Sequence, residues 1–158
     1  MNGIFSQNSQ SVMALAPDAD RWNGDPATDI INTKNYGHVT FYIMEGAGGT
    51  GTTVLTVEEC DDVSASNSTA IAFNYRVTAA GGGDTFGALT AATAAGYTTI
   101  AGAQKQIIIE IDAAELSDGF PFVRIQTTEA VDSPCDAAII AICTKPRYSQ
   151  AIMPTAIV

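Results

Sequence analysis

Short runs of alternating apolar and polar residues, separated by glycine-rich segments, constrain the fold of this chain most strongly. Residues 38–45 and 69–78 alternate with a period of two and are rich in β-branched and aromatic side chains. A period of two places successive side chains on opposite faces of a β-strand. Further strands are predicted at residues 29–33, 52–59, 105–112 and 120–128. Residues 137–144 are apolar on both faces, which predicts a strand that is covered on both sides.

The sequence does not support a long helix. Residues 79–104 are dominated by Ala, Gly and Thr, and glycine and β-branched threonine both disfavour the helical conformation. This segment is predicted to be a long excursion with short strands around residues 85–89 and 97–100. About seven or eight short strands joined by glycine-rich turns predict an all-β fold, either a β-sandwich or a jelly roll.

The glycine-rich segment Gly46–Gly51 joins two predicted strands, so the pattern predicts a β-hairpin over residues 38–59. The segment also matches the G-x-G-x-x-G pattern of dinucleotide sites. Such sites need a helix directly after the glycines, whose amino terminus meets the pyrophosphate. Residues 52–57 are strand-like instead, so we interpret the glycines as a turn.

A length of 158 residues fits one domain. We predict a β-sandwich over residues 28–146, preceded by an irregular N-terminal arm (residues 1–27) and followed by a C-terminal tail (residues 147–158). Both flanking segments carry apolar side chains that a solvated linker would not normally have. The candidate interface residues in these segments are Phe5, Trp22, Ile152, Met153 and Ile157.

The charge balance excludes some classes of partner. Charged residues make up 15% of the chain, and its formal net charge is −10. A nucleic-acid binder that neutralises phosphates needs a basic face, and so does a protein that docks on an anionic membrane. The acidic charge balance therefore argues against both classes. Residues 1–10 lack the basic and apolar segments of a secretory signal, so we expect synthesis in a host cytoplasm.

Residue types that carry chemistry are sparse. Cys60, Cys135 and Cys143 have no C-x-x-C spacing, which predicts reduced thiols and neither a zinc site nor a disulfide framework. His38 is the single histidine, and no G-x-S-x-G nucleophile motif accompanies it. The acidic segment Glu58–Asp62 lacks the spacing of a calcium-binding EF-hand. We therefore predict no catalytic residue, no cofactor and no metal, and a protein that is not an enzyme.

Three segments together resemble a known group of proteins. They are Asn32–Phe41, which precedes the glycine-rich turn, then Thr53–Val63, and then Ala70–Arg76. In this order they resemble small structural proteins of tailed bacteriophages that lie on or in the virion head. The resemblance covers roughly residues 28–145 and implies a structural role without catalytic residues.

The resemblance implies a capsid decoration or cement protein that binds the outer lattice of the shell. Its partners would be the major capsid protein and further copies of itself in a homo-oligomer, and its location would be the virion. The low charge, with abundant Ala, Gly and Thr, agrees with a surface covered by neighbours. The alternatives are a low-copy tail, collar or fibre component, and a carbohydrate-binding β-sandwich that uses residues 79–104, including Tyr97.

Overall fold

The computed structural model describes residues 4–148 and 150–157. A short helix, α1 (Phe5–Asn8), precedes the strands. Two short 3-10 helices span Thr33–Asn35 and Ala113–Glu115. The strands are β1 (Gln10–Asp18), β2 (Ile31–Asn32), β3 (Tyr36–Glu45), β4 (Thr52–Cys60), β5 (Ser68–Ile71), β6 (Phe73–Val77), β7 (Thr90–Ala92), β8 (Tyr97–Thr98), β9 (Gln106–Asp112), β10 (Phe122–Val131) and β11 (Ala137–Pro146).

The strands form two antiparallel sheets packed as a sandwich, which confirms the predicted all-β fold. The first sheet has six strands in the order β1-β11-β3-β9-β6-β7. The second has five, in the order β2-β10-β4-β5, with β8 paired to β4. The alternation seen in the sequence divides each central strand into an inward row and an outward row.

The inward rows of four strands form most of the core. β3 and β9 face β4 and β10 across the space between the sheets, and ten of their inward apolar side chains are at most 1% exposed. These side chains are Val39, Phe41, Ile43, Ile107, Ile109, Ile111, Leu55, Val57, Val123 and Ile125. Such burial is the main favourable contribution to folding, at roughly 25 cal/mol per Å² of apolar area.

The predicted hairpin over residues 38–59 is wrong, although both of its strands exist. β3 pairs with β11 and β9, whereas β4 pairs with β10 and β5 in the other sheet. Residues 46–51 therefore cross between the sheets. The crossing packs tightly on residues 133–136, since a Cβ at Gly51 would lie 1.9 Å from the carbonyl oxygen of Ser133. The glycines are required by this close approach.

The strand predicted over residues 69–78 is divided at Ala72. Its first half, β5, pairs with β4, and its second half, β6, pairs with β9 in the other sheet. In the excursion over residues 79–104, the prediction near 97–100 corresponds to β8. The prediction near 85–89 corresponds only to an isolated bridge between Phe86 and Thr78, and β7 follows it.

The arm predicted to be irregular over residues 1–27 contains an edge strand. β1 pairs with β11, with register shifts after Val12 and Leu15. The chain then crosses to the second sheet, where the Thr28 N–H donates to the Ile125 carbonyl at 2.9 Å. Trp22, in this crossing, is 0% exposed within the chain. Turn-forming residues such as Pro17, Gly24 and Pro26 favoured an irregular segment in the prediction, and they concealed the strand β1.

The C-terminal segment has no helix or strand in its described residues, yet it packs on its own domain. The Asn32 N–H donates to the Ala156 carbonyl at 2.7 Å, and the Tyr36 hydroxyl donates to the Pro154 carbonyl. Met153 is 7% exposed. Trp22 and Met153, predicted as interface residues, therefore belong to the core of their own chain.

We expect Trp22→Ala to lower the free energy of unfolding by about 3–5 kcal/mol, because it removes a large buried side chain and leaves a cavity. Tyr148→Ala is the control, since this side chain is 79% exposed and its loss should change stability by less than about 0.5 kcal/mol. Urea denaturation of both variants measures the difference. A Trp22→Ala protein as stable as the control would contradict the assignment of Trp22 to the core.

Candidate functional site

Both termini of the chain lie at the same end of the sandwich. Gln10 is opposite Cys143 in the antiparallel pair of β1 and β11, so α1 lies beside the last residues of β11. The C-terminal segment leaves β11 at Pro146, which is opposite Tyr36. We call this end the terminal end, and the end that carries the crossing of residues 46–51 the loop end.

Large apolar side chains from both termini are exposed at the terminal end. Ile4 and Phe5 are each 62% exposed, Tyr148 is 79% exposed and Ile152 is 85% exposed. We call these four residues the terminal patch. Large apolar side chains left in water at one place are typical of a surface that another molecule covers.

Three of the predicted interface residues are at least partly exposed. Phe5 and Ile152 both belong to the terminal patch. Ile157 is 39% exposed and lines a recess near β2 together with Val63 and Arg124, on the side of the second sheet. The sequence indicated Phe5 and Ile152 because apolar residues stood out in polar flanks. Ile4 and Tyr148 carried the same signal and were missed.

Charged side chains of both signs meet on β3, β9 and β11 at the terminal end. His38 lies 3.6 Å from the Glu110 carboxylate and 3.9 Å from that of Asp112. The Lys145 ammonium donates to Asp112 at 2.8 Å. This hydrogen bond is the main reason that the pKa of Asp112 is lowered. The described residues contain no group of three or more His, Cys, Asp or Glu side chains that could hold a metal ion.

The acidic segment Glu58–Asp62 does not converge on one point. Glu58 pairs with Arg124 at 2.8 Å, and the buried Glu59 accepts from the Ser117 N–H at 2.8 Å. The Asp62 carboxylate accepts from the Ser64 and Ser66 hydroxyls, and these bonds lower its pKa to about 2. Each carboxylate thus stabilises its own strand end or loop.

All three cysteines are free and buried. Burial raises the pKa of each thiol, and for Cys143 it raises the pKa to about 12. A nucleophilic cysteine needs an accessible thiolate, so these thiols behave as apolar core groups. Tyr97, the aromatic residue considered for sugar binding, packs on Tyr75 with ring centroids 4.4 Å apart, and this contact occupies part of its surface.

A buried carboxylate, Glu45, lies at the loop end. It is 7% exposed, and neither of its oxygens has a hydrogen-bond partner among the described residues. Burial raises the pKa of Glu45 to about 7, although the nearby Thr99 hydroxyl and Trp22 indole favour its charged form. The alternating pattern of β3 gave no sign that Glu45 is buried, because a glutamate at the end of a strand is usually exposed.

The largest recess described lies on the outer side of the six-stranded sheet at the loop end. It has a volume of about 490 Å³, and Pro17, Ala19, Met44 and Ala138 give it a mostly apolar lining. Asp18 and Asp136 stand at its rim. The recess is open, and it continues the outer surface of β11 and β3.

No protein-family model, no curated protein and no solved structure matches the chain. Within residues 4–148 and 150–157, no helix has the length and apolar character needed to cross a membrane.

Glu45 should make stability depend on pH. Below about pH 4.5 the carboxyl is neutral in both the folded and the unfolded chain, and above about pH 7 it is charged in both. Between these values the unfolded chain loses its proton first, so the free energy of unfolding falls as pH rises, by about 3 kcal/mol in total.

Glu45→Gln should remove this part of the pH dependence, so that the variant gains stability over the wild-type protein between pH 5 and pH 8. Urea denaturation at both pH values measures the gain. Asp118→Asn, on an exposed aspartate between the second 3-10 helix and β10, is the control and should leave the wild-type slope unchanged. The same slope in Glu45→Gln and wild type would contradict the assignment.

Proposed function

We propose that the protein is a structural virion protein, a capsid decoration or cement protein that binds the outer lattice of a bacteriophage head through its terminal end. The observation that carries the proposal is the terminal patch, in which exposed apolar side chains of the N-terminal and the C-terminal segment lie at one end of the sandwich. The resemblance of residues 28–145 to small phage head proteins supports the same role.

The terminal patch offers enough apolar surface to hold a lattice contact. Complete burial of one large apolar side chain contributes roughly 1.5–3 kcal/mol. Four such side chains would therefore contribute roughly 6–12 kcal/mol before the cost of association is subtracted. The partner that would cover them is the major capsid protein.

The arrangement also gives the bound protein an orientation. Because both termini lie at the terminal end, attachment there would direct the loop end away from the shell. The sandwich would then act as a rigid body that bridges neighbouring shell subunits. A net charge of −10 suits the outer side of the shell, away from packaged DNA, since phosphates repel an acidic protein.

The proposal assigns the protein no catalytic step and no cofactor. Its buried, protonated thiols and the paired carboxylates of β4 support a structural role. A tail, collar or fibre component would use the same patch at a lower copy number.

We expect the double variant Phe5→Ser/Ile152→Ser to lose most of its binding to capsids that lack the protein, since two exposed side chains of the terminal patch are removed. Co-sedimentation of purified protein with such capsids measures binding. Ile100→Ser is the matched control, because Ile100 is 52% exposed and follows β8 near the loop end. Its binding should equal that of the wild-type protein.

Deletion of residues 1–20 is a poorer test, because it also removes the edge strand β1. Equal binding by the double variant and the wild-type protein would contradict attachment through the terminal end. Circular dichroism should show that both serine variants keep the β-sandwich, since the substituted side chains lie at the surface.

A further inference from the structure

The outer surfaces of the two sheets differ sharply in character. On the six-stranded sheet, the outward side chains of the four neighbouring strands β1, β11, β3 and β9 include six large, uncharged and mostly aliphatic residues. We call them the outer stripe: Met13, Tyr42, Met44, Ile108, Ile140 and Ile142. Met13 is 66% exposed and Met44 is 37% exposed, and the other four are partly exposed.

The strand register makes the stripe continuous. Ile140 is directly opposite Tyr42, and Tyr42 is directly opposite Ile108. Ile142 lies two residues after Ile140 on β11, so its side chain is on the same face. Met13 lies on β1 beside this part of β11. Directly opposite side chains in a sheet are about 4.5–5.5 Å apart, so these residues form one surface.

The exposed and partly exposed outward side chains of the second sheet are mostly polar, with Val54 as an exception. Along β10 and β4 they include Arg124, Gln126, Thr128, Thr56 and Glu58, and Arg124 pairs with Glu58. If both sheets of the sandwich faced water, both outer surfaces would be polar, like that of the second sheet. The difference marks the outer stripe as a surface that a partner covers.

The side-chain polar groups of Tyr42 and its neighbour Gln106 are already paired within the chain. The Tyr42 hydroxyl donates to the Gln106 side-chain oxygen, and the Gln106 amide nitrogen donates to the Gly83 carbonyl at 3.2 Å. Covering the Tyr42 ring therefore leaves no new unpaired hydroxyl, which would otherwise oppose association.

The charges on this face allow a second copy of the chain to approach despite its net charge of −10. Two carboxylates of β9, Glu110 and Asp112, lie at the terminal end beside His38 and Lys145. Arg76 on β6 adds a positive group on the same face, opposite Ile108. Asp18 and Asp136 add two carboxylates at the loop end of this face. The face thus carries groups of both signs around an uncharged centre.

The area also suits a second copy. Strands β11 and β3 have ten residues each, which at about 3.3 Å per residue gives a length of roughly 33 Å. Four strands about 4.8 Å apart add a width of roughly 19 Å. The footprint is roughly 600 Å² per copy, so two copies would bury roughly 1,200 Å², the lower bound of standard stable interfaces.

From these observations we propose that two copies of the chain associate through the outer stripes of their six-stranded sheets. The contact is a two-fold face-to-face packing of sheets about 10 Å apart, in which the same apolar rows meet from each side. It leaves the second sheet free. The proposal does not depend on the virion role, because it concerns the isolated chain.

Sedimentation equilibrium of the purified protein tests this association. At about 10–100 µM we expect the wild-type protein to have twice the chain mass of 16.4 kDa. Ile140→Glu places a charge in the centre of the stripe and should weaken dimerisation about 30-fold or more, the effect of losing a central interface residue. Thr128→Glu places the same charge on the outer side of β10 and should remain dimeric.

Ile140 is partly buried, so the charge in Ile140→Glu could also destabilise the folded chain. A second variant at an exposed position separates loss of the dimer from loss of the fold. Met13→Glu changes a 66% exposed side chain on the edge strand and should weaken the dimer while the thermal unfolding of the chain stays close to that of wild type. A wild-type protein that is monomeric over this range would overturn the proposal and leave the stripe to a different partner. Dimers unaffected by both stripe variants would overturn it as well.

Discussion

The packing of β3 and β9 against β4 and β10 is the interaction on which the rest of this structure depends. Their inward rows are almost completely buried, and they come from segments far apart in the chain. The chain crosses repeatedly between the sheets, for example at residues 19–30, at residues 46–51 and at Ala72, and this core holds the two sheets together. Trp22 adds its side chain to the core from the first crossing.

The fold class followed from local patterns, whereas the pairing of strands did not. Strand-like patterns located β3, β4, β9 and β10 within a few residues, and a segment that is apolar on both faces located β11. It could not show which strand lies beside which, because an inward row looks the same whether its neighbour is in the same sheet or across the core. The glycines of residues 46–51 indicated a change of direction, but their close contact with residues 133–136 depends on tertiary structure.

The candidate surfaces were predictable only in part. Apolar residues in polar flanking segments indicated that both termini must be covered, and Phe5 and Ile152 are indeed exposed. The same signal misplaced Trp22 and Met153, because a sequence does not distinguish burial within a chain from burial between chains. Glu45 had no sequence signal of its own, and of the outer stripe only the part on β11 had one, because residues 137–144 are apolar on both faces. Their character depends on which side of a sheet is covered, and that is fixed by the whole fold.

We propose that this sandwich belongs to a virus particle and covers its lattice. Quantitative mass spectrometry of purified particles, with the major shell protein as the internal standard, tests it most directly. The account predicts a copy number that is a simple fraction of the shell protein across the whole lattice. A protein absent from the particles would contradict the virion role, and a handful of copies would contradict the lattice-wide role.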